Sequence, residues 1–380
     1  MDTHLHEMPA VTLSQTVANA EPKSITVMCG GFAPFGGVET FALNLVQELK
    51  LARVQTRVVH WGKFSPLLEQ VLSSASWSRG LRFRWGCRWG LPDIALVLRY
   101  SRFILSSDVV LFPKTLHPLA HQLLWSLRRK RTPPFILVTP YRPIEIWPQA
   151  APAFLANFHL IMVQASSFAT ELLKLGYRGA IRIAPYPGPK QSACPAFPTP
   201  EIIRVGFLGR LVRDKNPLFL LNSFKCFLAG TQATLEVYGD GPLKTEMKAL
   251  ALELGISKHV NFHGALQHNA VSAEVDKCHL FVFPSVTEGQ CLAAVEVLSR
   301  GRPVVGSPVG ALEELLIDRR VGRVCLTTSP SAFAETIMQV VQAIRSGEIT
   351  PQAIREHFEK HLSRSVVVPK YIAAINDSMR

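Results

Sequence analysis

The chain has 380 residues, 48% of them hydrophobic and 18% charged, with a formal net charge of +13. That length can fill two ordinary cores, and the composition excludes a disordered or fibrous chain. No run approaches the roughly 18 apolar residues of a spanning helix, and scattered Cys29, Cys87, Cys194, Cys226, Cys278, Cys291 and Cys325 form no Cys-x-x-Cys pair, which fits reduced thiols in the cytoplasm and argues against a zinc site.

Residues 1–23 lack the basic and apolar regions of a secretion signal and read as a flexible tail. Ser24 to Cys29 is an apolar strand, Gly30 to Gly37 a glycine-rich loop, and Val38 to Lys50 carries apolar residues at helical spacing. Strand, glycine loop and helix together can cradle phosphate, although neither the dinucleotide fingerprint nor the Walker pattern is present. From Trp77 to Trp89 arginines interleave with aromatics, and Arg128-Arg129-Lys130-Arg131 follows. Residues 1–190 hold 21 Lys and Arg against 10 Asp and Glu, whereas residues 191–380 hold 20 against 18, so the basic surface belongs to the first half. Two readings stay open for it: a solvated basic face, or contact with an anionic membrane or lipid-phosphate acceptor. Nucleic acid is disfavoured because no reader motif accompanies the charge.

Further units alternate along this half. Strands are expected at Asp108–Phe112, Phe135–Thr139, Leu160–Val163 and Ile181–Ala184, with helices at His117–Arg129 and Ser167–Gly176. Residues 185–200, rich in Pro, Gly and Ser, read as a linker. Alternation then restarts, with strands at Arg204–Gly209, Thr234–Tyr238, His259–His263, His279–Pro284, Pro303–Gly306 and Arg323–Leu326. The expected fold class is α/β: two Rossmann-like, doubly wound parallel-sheet domains facing a central cleft. The first spans 24–190, the second 196–362, and a helix within 363–380 packs back to complete the first.

Ligands in such sheets bind beyond the carboxyl ends of the strands, and the polar motifs of the second half sit there. Arg210 and Lys215 share the loop after the Arg204–Gly209 strand, where a guanidinium and an ammonium suit a diphosphate. Glu288 follows the His279–Pro284 strand, and Glu296 comes after seven intervening residues. Gly301-Arg302-Pro303-Val304-Val305 and the Gly306–Gly310 loop complete the pattern. Carboxylates beside phosphate-binding amides have sugar hydroxyls as natural partners.

These residues resemble the retaining glycosyltransferases of the two-domain GT-B architecture, family 4. The resemblance rests on Glu288 and Glu296 with Gly301–Val305, on Gly209-Arg210-Leu211 with Lys215, on Gly36-Gly37-Val38-Glu39 and on Val163–Pro187. It implies a transferase that moves a sugar from a nucleoside-diphosphate sugar to an acceptor hydroxyl, the acceptor being a lipid-linked glycan, polysaccharide or other glycoconjugate. Arg210, Lys215 and Glu288 would act at the reacting centre. Gly36, Gly37, Gly209, Gly289, Gln290, Cys291, Leu292 and Glu296 would hold the donor, Glu296 at its ribose. No cofactor or metal is implied, and the chain has no Asp-x-Asp triplet.

Departures from the family pattern are specific. Thr139-Pro140-Tyr141-Arg142 stands where many members place a sugar-contacting histidine, leaving His117 and His121 as substitutes to weigh. Gln290 and Cys291 replace the Phe-Gly that commonly follows the first glutamate, which reads as tuning of the sugar pocket, with Cys291 as an oxidisable thiolate. Two other functions compete: a nucleotide-sugar epimerase of the same fold, drawing on Glu39 and Glu145, and a silent nucleotide-sugar-binding protein.

Overall fold

The computed structural model describes residues 24–31, 37–61, 69, 73, 75, 77–81, 91–113, 115–127, 133–138, 151–190, 194–199 and 201–379. The expected tail, Gly36, Arg128–Arg131, Thr139–Arg142 and Glu145 lie outside them, as does the side chain of Glu39. Of Trp77–Trp89 only the backbone of Trp77–Leu81 is described.

In chain order the first unit holds β1 (Ser24–Gly31), α1 (Gly37–Leu51), β2 (Gln55–Trp61), β3 (Trp77–Leu81), α2 (Leu91–Ile104), β4 (Val109–Phe112), α3 (Pro118–Ser126), β5 (Phe135–Val138), α4 (Ala151–Leu155), β6 (Leu160–Val163), α5 (Ser166–Lys174) and β7 (Ala180–Ile183). Its strands pair in parallel in the order β3-β2-β1-β4-β5-β6-β7. Strands β4, β5 and β6 read VVLF, FILV and LIMV and are buried throughout, because helices cover both faces of a parallel sheet. The sequence reading had no β2, β3 or α2. Thr56, Arg57 and His60 interrupt the apolar run of β2, and Arg57 lies over the Phe103 ring of α2, so a packing contact replaces the alternation that would have marked the strand.

The second unit holds β8 (Ile203–Leu208), α6 (Pro217–Leu228), β9 (Ala233–Tyr238), α7 (Lys244–Glu253), β10 (Val260–Gly264), α8 (Val271–Asp276), β11 (Leu280–Phe283), α9 (Leu292–Ser299), β12 (Val304–Gly306), α10 (Leu312–Leu315), β13 (Gly322–Val324), α11 (Pro330–Arg345) and α12 (Pro351–His361). Its parallel order is β10-β9-β8-β11-β12-β13. The chain therefore winds one way from β8 through β9 and reverses at β11. Between β8 and β11 lies the switch point, where loops diverge and leave a crevice.

Two crossings tie the units together. Arg302, fully buried, donates to the carbonyls of Pro195 (2.9 Å), Ala196 (2.8 Å) and Asp276 (3.0 Å), and its guanidinium lies over the Phe197 ring. A guanidinium has enough donors to satisfy three carbonyls at once, which is how a buried charge is tolerated. The return crossing lies beside the linker: Gly188 donates to Leu362 O at 2.8 Å, and Arg364 Nε donates to Gly188 O at 3.2 Å. Beyond it, α13 (Arg364–Asp377) places Val367, Tyr371, Ala374 and Ile375 in the same cluster as Phe41, Val46, Ile25 and Tyr186 of the first unit.

Candidate functional site

The site is built at the β8/β11 switch point. β8 ends in Gly209-Arg210-Leu211, and buried Leu211 anchors the loop by donating to Asp240 O at 3.0 Å while its carbonyl accepts from Leu243 N. The loops approach so closely that a Cβ on Gly239 would lie 1.8 Å from Gly209 O. A short 3₁₀ turn, Arg213–Lys215, ends at Asn216 in the left-handed region (φ 51°), a conformation Asn tolerates, and Pro217 starts α6. That reversal aims Lys215 at the loop after β11, and the Val286 amide closes the two loops together by donating to Asp214 O at 2.8 Å.

After β11, Pro284 stops the ladder. Glu288, only 7% exposed, accepts from Lys215 Nζ at 2.5 Å and from Ser285 Oγ at 2.8 Å. A buried carboxylate with a cation and a hydroxyl is satisfied in place. Arg210 differs: it is exposed, and its guanidinium makes no hydrogen bond or ion pair among the described residues. Lys215 spends one donor on Glu288 and keeps others, and Arg210 is open, so an incoming anion can meet both.

The loop then turns into α9. Cys291 takes φ 58° as its N-cap residue, and the amides of Gly289, Gln290 and Cys291 donate to no backbone carbonyl among the described residues. With the first amides of α9 they form a run of unused donors at the positive end of a helix, a setting suited to phosphate. The loop is wedged from behind by Gly310 (φ 61°), where a Cβ would lie 2.2 Å from Glu288 O and 2.5 Å from Gly289 O, and Ala311 N donates to Gly289 O at 2.8 Å. One turn into α9, about 6 Å along its axis, Glu296 is half-buried with no side-chain partner among the described residues, and burial pushes its carboxyl up to about 7.

Several expectations need correction. Cys291 is not a thiolate: burial, and then the Glu288 carboxylate beside it, hold its thiol well above the usual range, so it stays protonated. Nor does the Gln290 side chain face a sugar pocket. It is 4% exposed and pairs with the Tyr186 backbone, accepting from the amide through Oε1 and donating to the carbonyl through Nε2 at 3.2 Å. His121 is a core residue whose Nε2 accepts the Leu116 amide at 3.0 Å among Phe112, Trp125, Phe154 and Phe158, and burial lowers it to about 3. His117 caps α3, its Nδ1 accepting from Leu119 N. Gly209, Arg210, Lys215, Glu288, Gly289, Gln290, Cys291, Leu292 and Glu296 all lie on the two switch-point loops and α9. Gly37 opens α1 in the other unit, and Gly36 lies outside the described residues.

Leu292, expected at the donor, also packs on the core cluster of the first unit. Two residues escaped the sequence reading. Ser285 orients Glu288. Glu314 reaches across to the start of α5, accepting from Ser166 N (3.0 Å), Ser166 Oγ (2.6 Å) and Ser167 N (3.1 Å). Nothing local marks Glu314, since its partners stand 148 and 147 residues away. A separate polar groove of about 580 Å³ runs along β9 and β10, lined by Arg204, Thr234, Glu236, Asn261 and His263 among others. Glu236 is satisfied there by Thr234, Asn261 and His263, and no residue of the switch-point site lines the groove.

Residues 197–356 match the family described as Glycosyl transferases group 1. Among curated relatives, the chain is 29% identical over 143 residues to a 2-deoxystreptamine glucosyltransferase of Streptomyces kanamyceticus, covering 37% of this chain and 36% of that protein. It is 27% identical over 135 residues to an uncharacterized glycosyltransferase of Methanocaldococcus jannaschii, covering 36% and 37%. The chain thus spans well under half the length of the curated relatives it matches. Among solved structures it superposes on a lipopolysaccharide outer core galactosyltransferase with a TM-score of 0.75 at 16% identity, covering 93% of this chain and 99% of that one. An Anabaena protein solved with UDP and glucose gives 0.72 at 15% identity, covering 93% and 97%. The fold is the two-domain GT-B α/β architecture.

Proposed function

We propose that the chain is a retaining glycosyltransferase of family 4 that moves a sugar from a nucleoside-diphosphate sugar to an acceptor hydroxyl. The observation that carries the reading is the pair of half-buried Lys215 and buried Glu288 at the switch point, flanked by Arg210 and the Gly289–Cys291 amides, which have no such partners among the described residues. Two cations against one ionised and one easily protonated carboxylate leave the crevice net positive, as a diphosphate requires.

In this reading Arg210, Lys215 and the amides hold the diphosphate, Glu288 accepts from sugar hydroxyls and Glu296 from the ribose. The acceptor oxygen bonds to the anomeric carbon as that carbon's bond to the phosphate oxygen breaks, and the departing phosphate takes the acceptor proton on the same face. Catalysis is then chiefly stabilisation of charge developing on the leaving group, for which donors fixed beforehand are effective. The protein's own cations do this work, with no metal in the scheme.

The acceptor is proposed to be lipid-linked or a glycoconjugate presented at an anionic bilayer from the cytoplasmic side. Support comes from the outer face of α2, where Leu91, Leu98, Arg99 and Arg102 are exposed together, and from the excess of positive charge in the first half. Among the described residues no helix is long and apolar enough to cross a membrane.

The test is incubation with UDP, GDP and ADP sugars in turn, with and without a membrane lipid extract. Release of nucleoside diphosphate that depends on the extract is expected. An isomerised sugar from donor alone would replace the reading with an epimerase, and tight binding without turnover would replace it with a silent binding protein.

A further inference from the structure

We infer that Gln290 is a positioning residue: its side chain fixes the donor loop of one unit against the helix that opens the other, and so sets the geometry of the whole cleft. This inference rests on the transferase reading. The observations form one continuous path. Glu288 and Gly289 lie immediately before Gln290, and Cys291 and Leu292, which begin α9, immediately after it. Gln290 pairs through both ends of its amide with the Tyr186 backbone, as one strand pairs with another. The Tyr186 ring stacks on Phe41 at 4.0 Å and 14°. Phe41 stands four residues into α1, whose first residue, Gly37, ends the glycine-rich loop. Leu292 adds an apolar contact to the same cluster.

The pairing is buried and two-sided, which makes it directional. A phenylalanine at 290 fills space without matching a donor and an acceptor, whereas an amide accepts a single registration of Tyr186 against the loop. Tyr186 also sits in the linker beside the return crossing at Gly188 and Leu362. A contact there acts near the hinge, where a small displacement becomes a large one across the cleft. Reacting groups held by different units tolerate little such error, because misplacement of about 1 Å can cost about 100-fold in rate.

Three full-length proteins test this: the wild type, Gln290→Leu and Gln290→Glu. Calorimetric binding of UDP, GDP or ADP reads the second unit alone, and small-angle scattering reads the opening between units. Turnover with nucleotide sugar and lipid extract reads their alignment. For Gln290→Leu we expect a larger radius of gyration and kcat lower by about 10- to 100-fold. In Gln290→Glu an ionised carboxylate faces the Tyr186 carbonyl and cannot donate, but once protonated it donates as the amide does. Its turnover relative to wild type should therefore recover as pH falls from about 8 to about 6, since burial raises such a carboxyl. Taking the ratio to wild type removes the titration of Glu296, which both proteins share.

Wild-type kcat in Gln290→Leu, or a Gln290→Glu ratio flat with pH, overturns the inference. If Gln290→Leu does not fold, the pH profile of Gln290→Glu decides alone. If wild type binds none of the three nucleotides, the transferase reading fails, and scattering still shows whether Gln290 sets the opening.

Discussion

Lys215 and Glu288 illustrate how much one contact can carry. The Lys215 ammonium neutralises a carboxylate that is almost fully buried, and in the proposed reaction it also meets the departing diphosphate. Lys215→Ala is expected to lower kcat/KM by about 100- to 1000-fold, or about 3 to 4 kcal/mol of transition-state stabilisation, and steady-state kinetics with a fixed acceptor measure it. Glu296 offers a second test with the opposite sign for stability. Its carboxyl rises on folding from the usual 4.5 to about 7, so the folded chain holds that proton more tightly than the unfolded one. The penalty is absent below about pH 4.5, grows between the two values and is full above about 7. Glu296→Gln should accordingly stabilise the fold at pH 8 by about 1 to 3 kcal/mol, seen in urea unfolding. The wild-type KM for donor should fall as pH rises through about 7, and that pH dependence should vanish in the variant. A lower melting point for Glu296→Gln at pH 8 would contradict the argument.

Why some of these residues were legible and others were not follows from the range of their contacts. Arg210, Lys215 and Glu288 are placed by nearby punctuation: a strand, then Gly209 or Pro284, then a helix start. Gln290 and Glu314 gain their roles from partners 104 and 148 residues away, and no local spacing encodes such a meeting. Cys291 misled for a related reason, because proximity to a helix start suggests a thiolate while burial, visible only in three dimensions, forbids it.

At the scale of elements, the site depends on two loops being held rather than on the sheet alone. Gly310→Ala would drive a Cβ into the carbonyls of Glu288 and Gly289. We expect a loss of about 1 to 3 kcal/mol in stability and a disproportionate fall in turnover, as the loop bearing Glu288 shifts. Thermal unfolding and kinetics on the same preparation test both. Glu314 caps α5 from the opposite unit, so Glu314→Ala should cost about 1 kcal/mol and raise hydrogen exchange at Ser166 and Ser167. Unchanged exchange there would show that solvent replaces the carboxylate at no loss. Both sheets were readable where strands are short uninterrupted apolar runs, as in β4, β5, β6 and β11. β2 and β3 were not, since their sequences mix charge, hydroxyl and aromatic groups. What marks them as strands is pairing with β1 and with each other.

Across the whole molecule, charge and shape divide the labour. The second half is near neutral and the first carries the excess basicity, so the proposed attraction for an anionic acceptor would act on the first unit. Replacing Leu98 with Asp and Arg102 with Glu on the outer face of α2 should weaken sedimentation with phosphatidylglycerol vesicles several-fold, leaving nucleotide binding intact. Equal sedimentation with uncharged phosphatidylcholine vesicles would argue against the electrostatic part.

The return of α13 to the first unit bears on how the chain is made. Tyr371 and Ile375 complete a core begun by Ile25 and Phe41, so during vectorial synthesis the segment holding Ile25 and Phe41 leaves the ribosome first and waits for α13 before its interior can seal. The second unit, continuous in sequence, is free to fold in the interval. Until α13 emerges, Ile25 and Phe41 lack those apolar partners, so a chain cut before Arg364 should leave the core of the first unit open.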